Sequence, residues 1–209
     1  MRTPLPELTF SRLAPLAAAA LALFLSSCSG DKNTQAETTF TSADSLTDRY
    51  LQLQDSLLYA WNLLVNDDTR KFRSMHKLLH EMMTTGNHDQ EELIALEQRL
   101  NKLSGLSITQ ESIADATLVE EYDFTTSSLV TELLSLARSH ESFAQNQTLH
   151  NMVQEIILID QRVENNRRHY DAVADEYNRF LEDHLEQVIE IELGVPVKRK
   201  PLFEMAAEE

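Results

Sequence analysis

From residue 147 to 193 apolar side chains return every three or four positions: Leu149, Met152, Ile156, Ile159, Val163, Tyr170, Val173, Tyr177 and Phe180, with Asn166 in the one polar slot. A repeat of 3.5 residues stays on one face of a slightly supercoiled helix, and such a face needs partner helices to cover it. Glu164 and Arg168, Arg167 and Asp171, and Asp175 and Arg179 stand four residues apart between the seam positions, the spacing of ion pairs on a solvated face. Gly194 and Pro196 end the pattern. At 1.5 Å per residue the predicted helix is roughly 70 Å long.

Three further helices precede it. The first spans 44–85, with a stripe through Leu46, Tyr50, Leu53, Leu57, Trp61, Val65, Phe72, Met75, Leu79 and Met82. Two steps of four at Leu57–Trp61–Val65 predict a stutter, and Asp68 falls in the seam as a solvated kink or an interhelical contact. Gly86 stops this helix, and Asn87-His88-Asp89-Gln90 has the form of a capping box for a short second helix over 88–104, built on Leu93, Leu96, Leu100 and Leu103. Gly105 ends that one, and Ser107 with Gln110 opens a third helix over 108–140, in which Thr125-Thr126-Ser127-Ser128 predicts a bend. Asn146 is placed to cap the long helix. Short connections make neighbours antiparallel, so the fold class is all-α: an elongated antiparallel bundle of about four long helices over 44–204, onto which Leu202 and Phe203 dock, with 205–209 a frayed tail.

Composition supports this pattern. No proline lies between Pro15 and Pro196, and the four glycines fall at segment ends, so a β-rich fold with frequent turns is disfavoured. The net charge of −16 repels phosphate backbones and anionic headgroups, which argues against a nucleic-acid partner and against lying flat on an anionic membrane.

The amino terminus carries an address. Arg2 and Arg12 precede an apolar run, Leu13–Leu25, of 13 residues. That is short of the roughly 20 residues of a membrane span and suits a signal-peptide core. It ends in Leu25-Ser26-Ser27-Cys28, which resembles the bacterial lipobox. The resemblance implies removal of residues 1–27, lipidation of Cys28, and acylation of the new amino group. Two or more acyl chains anchor a protein stably. Residues 28–43, small and polar, read as a flexible tether. The implied location is a bacterial membrane, facing periplasm or exterior, with inner and outer membrane both open.

Candidate chemistry is sparse. His76 and His80 stand at i and i+4, but two ligands are too few for a metal site and the motif is not H-E-x-x-H. Paired acids such as Glu91-Glu92 and Glu120-Glu121 read as solvated faces. With no glycine-rich phosphate loop and no G-x-S-x-G, the sequence predicts neither a catalytic group nor a cofactor.

Asp160-Gln161-Arg162-Val163, Asn166-Arg167, Tyr170-Asp171 and Tyr177-Asn178 together resemble the LemA-family signature E-N-R-I-x-x-A-R-x-x-Y-N…Y-N. Arg70-Lys71-Phe72-Arg73-x-Met75, His88-Asp89, Glu141-Ser142-Phe143 and Gly194-Val195 ahead of Phe203-Glu204 are similar to further family blocks, so the likeness runs from about 45 to 204. Asp160, Gln161 and Asp171 depart from the expected Glu, Asn and Asn, and Asn166 replaces a small residue. The family pattern implies a helical bundle held outside a bacterial membrane, here by a lipid in place of an amino-terminal helix, and implies no enzyme activity.

The sequence therefore predicts a lipid-anchored scaffold or adapter for membrane or periplasmic protein partners. The alternatives are an envelope sensor or regulator of membrane proteolysis, and then a hydrolase. Arg162, Arg167 and Asn178, beside the seam, are the partner-contact candidates, with packing inside the bundle as their other role. Asn166 is predicted to face a neighbouring helix and be satisfied by it.

Overall fold

The computed structural model describes residues 42–85, 89–106, 108–139, 141 and 143–203. The predicted signal peptide, Cys28, the predicted tether up to residue 41 and the residues from 204 lie outside these, and Ser42 and Ala43, expected at the end of the tether, open the first helix. The chain is all-α: α1 (Ser42–Thr85), α2 (Gln90–Ser104), α3 (Ala116–Ser139) and α4 (Gln147–Ile191), with 3-10 turns at Ser112–Ala114 and Phe143–Gln145. Among the described residues no helix is long and apolar enough to cross a membrane.

α1 and α4, of 44 and 45 residues, form the long antiparallel pair that the other elements lean on. Ion pairs along the shared edge follow this antiparallel direction: Arg49 with Glu176, Asp67 with Arg162, and Arg70 with Glu155. The core divides into three clusters along this axis. At one end Phe72–Met82 of α1 meets the leucines of α2, the Leu129–Ala137 face of α3, and Leu149, Val153 and Ile156 of α4. In the middle Leu57, Ala60 and Leu64 meet Val163, Tyr170, Ala174 and Phe203. At the far end Tyr50 and Leu53 meet Tyr177, Leu181 and Val188.

The predicted Tyr50, Leu53, Leu57, Phe72, Met75, Leu79 and Met82 of α1, and Leu149, Ile156, Ile159, Val163, Tyr170 and Tyr177 of α4, are buried, and the seams depart from the expected ones by one position at a few places. α1 buries Tyr50, Leu53, Leu57, Ala60 and Leu64, an unbroken three-four alternation, while Trp61 is half-buried and Val65 is exposed. There is no stutter at Trp61: the small Ala60 lets the helices approach, and the indole takes the flank. α4 keeps the seven-residue line Leu149, Ile156, Val163, Tyr170 and Tyr177 and also buries the predicted Ile159, but Val153, Ala174 and Leu181 are buried beside Met152, Val173 and Phe180, which are only half-buried. A helix with neighbours on two sides buries a wider stripe than one coiled-coil seam.

Helix ends also shift. Asp89 caps α2 by accepting from the Glu91 N–H, and Asn146 caps α4 by accepting from Thr148 and Leu149. α3 begins at Ala116, not near 108. Thr109 and Ser112 satisfy one another, and the carboxylate of Asp115 takes the Leu118 N–H as the effective cap. α3 then runs unbroken through Thr125–Ser128, since burial of Thr126, Leu129 and Val130 outweighs weak helix propensity. α4 departs from helical geometry at His184 (φ −135°, ψ 25°), so the predicted uninterrupted helix contains a kink.

Beyond Ile191 the chain reverses. Gly194 adopts φ 87°, a left-handed conformation that only glycine takes without steric cost, and its N–H closes onto the Ile189 carbonyl at 2.8 Å. This turn sends residues 195–203 back along α4, where Phe203 is buried in the middle cluster.

Candidate functional site

Four residues singled out in the sequence fall on one stretch of α4, and the structure divides them among α1, α3 and the returning segment 195–203. Arg162 and Asn166 both reach α1: the guanidinium of Arg162 donates to Asp67 Oδ1 at 2.9 Å, and the Asn166 amide donates to Asp67 Oδ2 at 3.0 Å and to the Leu63 carbonyl at 3.4 Å. Asn166 thus faces a helix and is satisfied there, as its place in the seam predicts. The Arg162 side chain remains 45% exposed, so it can also meet a partner from solvent.

Arg167 turns to α3. Its two terminal nitrogens donate to the two oxygens of Asp123 at 2.6 and 2.5 Å, and its guanidinium lies over the Phe203 ring at 4.9 Å from the centroid. The predicted Arg167–Asp171 pairing gives way to this bidentate fork, because Asp171 is buried and accepts the backbone N–H of Phe203 at 2.9 Å. Burial opposes the charge on Arg167, but the hydrogen bonds and field of Asp123, followed by Asp68 and Glu164, outweigh it and hold the guanidinium pKa above its ordinary value.

Asn178 binds the returning tail. Its amide donates to the Lys200 carbonyl, and its oxygen accepts the Lys200 N–H. Arg167 and Asn178 are thus committed within the chain, and Asn178 is buried. The half-exposed Arg162 is the partner-contact candidate with a side chain open to solvent.

A second polar group sits across the bundle where the seam of α1 passes through Asp68 and Lys71. The Tyr122 hydroxyl donates to Asp68, and the buried Lys71 ammonium lies 3.2 Å from Asp68 and 3.4 Å from Asp160. Asp68 is thus an interhelical contact, not a solvated kink. Burial first, then the charge of Asp68 and its hydrogen bond, push the Tyr122 pKa well above its usual range. The sequence marked Asp68 by its seam position but offered no sign of Lys71 as a buried cation, since lysine at that spacing reads as a flank.

Trp61, Phe72, Tyr122 and Phe203 surround a cavity of about 190 Å³, with Asp68 and Arg167 also in its wall. The cavity therefore joins all three elements that Arg167 contacts or borders: α1, α3 and the tail. Among the described residues no group of three metal-ligating side chains comes together; His76 is half-buried and His80 exposed.

On the outside, α1 presents Leu51, Leu58 and Val65 at seven-residue intervals, exposed by 49%, 57% and 39%. Seven residues bring a helix back to nearly the same face, so these form one apolar line. Asp44, Asp48 and Asp55 are exposed on the same half of α1.

No family model, no curated protein and no solved structure matches this chain.

Proposed function

We propose that the chain is a lipid-anchored adapter of the bacterial cell envelope that holds an amphipathic helix of another envelope protein against α1. The observation that carries this reading is the exposed line Leu51–Leu58–Val65. It returns every seven residues to one face of α1, yet lies outside the three core clusters. The partner's chemistry follows from charge. With exposed aspartates at 44, 48 and 55 and a net charge of −16, the complementary helix carries an apolar stripe flanked by lysine or arginine. The lipobox-like run ending at Cys28 supports a position at the membrane, and the LemA-like pattern over about 45–204 supports an extracytoplasmic bundle. No catalytic step is part of this reading.

The test is a photo-crosslinking residue at position 58 of the full chain in cells, with position 158 on α4 as an equally exposed control. The reading requires crosslinks from 58 to a basic, apolar-striped segment of another envelope protein, lost with Leu51→Glu. Crosslinks only to a second copy of this chain, or equal capture from both positions, contradict it.

A second reading, an envelope sensor or regulator of membrane proteolysis, is supported by the cavity beneath Phe203. A ligand there would bear on the tail and on α3 together. A ligand-dependent rise in melting temperature tests it.

A further inference from the structure

Residues 196–203 form an arm that is bound by other elements and not by itself. Residues 195–202 adopt neither helix nor strand. Pro196 and Pro201 fix their own φ and push Val195 and Lys200 toward extended backbone, so the arm is extended before it docks. Its hydrogen bonds and ion pair reach α4: Lys200 to Asn178, Phe203 to Asp171, and Arg199 to Glu182. Its apolar residues enter two clusters built by the helices, Val197 at the far end and Leu202 and Phe203 in the middle. An arm held in this way can fill the same groove on a second copy with each of these contacts unchanged. Only the hinge before it has to differ.

That hinge is strained. Leu193 adopts φ 54°, a left-handed conformation that is costly for any residue with a Cβ, and its side chain is 93% exposed, so no packing offsets the cost. Residues 193–196 are all exposed, and the turn can therefore straighten without uncovering core. A short hinge under strain favours exchange of the segment beyond it between copies. Charge favours the same encounter. The arm carries Lys198, Arg199 and Lys200 and no acid, on a chain of net charge −16, so the arm of one copy is attracted to the surface of another. We propose that two copies of this chain exchange arms reciprocally: residues 196–203 of each dock in the α4 groove of the other, and residues 193–195 extend between them. The dimer keeps both sets of docking contacts and relieves both left-handed leucines. Neither the lipid anchor nor the α1 line enters into this exchange.

The experiment joins the arm to whichever groove holds it. A photo-crosslinking residue at position 202, half-buried against the middle cluster, is placed in the full chain. Docking within one chain gives a product of the chain's own mass, and docking between chains gives twice that mass. The double-mass product is expected to appear and to grow as the concentration is raised. Sedimentation of chains without the crosslinker then gives the dimer association constant for two hinge variants. Leu193→Gly removes the strain and should lower that constant about tenfold. At Gly194 (φ 87°) an added Cβ meets nothing within 4 Å, so Gly194→Val strains the hinge without touching any packing and should raise the constant by about as much. Both positions are exposed and lie outside the arm and the groove, so the opposite effects report on the hinge alone. Crosslinks of single-chain mass at every concentration overturn the proposal. A double-mass product with an association constant that neither hinge variant changes also overturns it, by showing that the copies meet elsewhere.

Discussion

Asn178 and Lys200 exchange two hydrogen bonds: the Asn178 amide donates to the Lys200 carbonyl at 2.8 Å and accepts the Lys200 N–H at 2.7 Å. One side chain thereby offers the tail the same donor and acceptor that a neighbouring strand would. Seven residues nearer the start of α4, Asp171 takes the Phe203 N–H, and the Phe203 ring then packs edge-on against Tyr170. Lys200 also lies over the Tyr177 ring, and Arg199 pairs with Glu182. Residues 195–203 are therefore an integral side of the bundle.

Asn178→Ala removes both bonds at once and leaves the Lys200 amide and carbonyl without their partner. Two net hydrogen bonds correspond to a loss of about 1–3 kcal/mol. Hydrogen exchange is the measurement of choice: the Lys200 and Phe203 amides should exchange faster while those of α2 keep their protection. Unchanged exchange at both tail amides would show that Phe203 holds the tail without help from Asn178.

The Arg167–Asp123 fork should be worth more than the surface pairs. The two side chains are 16% and 37% exposed, and both oxygens of the carboxylate are engaged. In a double-mutant cycle with Arg167→Met and Asp123→Leu, the coupling energy is expected to exceed about 1 kcal/mol, after discounting for the exposed carboxylate. The Arg168–Glu164 pair, exposed on both sides, should give about 0–0.5 kcal/mol in the same cycle. Equal couplings would demote the fork to an ordinary surface contact.

Alkaline pH should unfold the domain through its tyrosines. Burial first, and then nearby carboxylates, raises the pKa of Tyr50 beside Glu192, Tyr122 beside Asp68 and Tyr170 beside Asp171. In the unfolded chain these hydroxyls ionise near pH 10, whereas in the folded chain they keep their protons. The folded state then binds more protons, so stability is complete below about pH 10 and falls as the pH rises above it. Melting curves from pH 8 to 11 should show this fall, and Tyr122→Phe should flatten it. A slope that Tyr122→Phe leaves unchanged would assign the transition to other groups.

On the proposed lipid anchor, Cys28→Ser should leave the precursor unprocessed and abolish lipid labelling, because Leu25-Ser26-Ser27-Cys28 resembles a lipobox whose thiol is the lipid acceptor. A variant that still matures to an amino terminus at residue 28 and stays membrane-bound would remove the lipid anchor from the account.

What was legible in the sequence is the part governed by period and punctuation. The heptad line from Leu149 to Tyr177, the stops at Gly105 and Gly194 and the cap at Asn146 could all be read from spacing, because helix geometry makes each a local matter. Asn166 was legible for the same reason, as a polar residue in an apolar seam. The second line of each seam was legible at Leu53 and Ile159 but not throughout. Ala60 against Trp61, and Ala174 against Val173, are decided by how closely two helices approach, where a small residue outcompetes a larger one. Lys71, Asp123 and Asp171 were also invisible, since a charged residue reads as surface until its partner from another element is known. The reversal after Gly194 was legible, but the pairing of Lys200 with Asn178 was not, because it depends on where residues 195–203 come to lie on α4.

The most direct test of the adapter reading is the affinity of the purified full chain for two synthetic helices of about three heptads, with leucine at the seam positions and either lysine or glutamate flanking them. The lysine-flanked helix should bind, weaken as salt is raised, and shift the backbone signals of Leu51, Leu58 and Val65. Leu51→Glu with Leu58→Glu should abolish binding while leaving the melting temperature of this exposed line unchanged within a degree or two. Binding of the glutamate-flanked helix with equal affinity, or retention of binding in the double variant, would contradict the account.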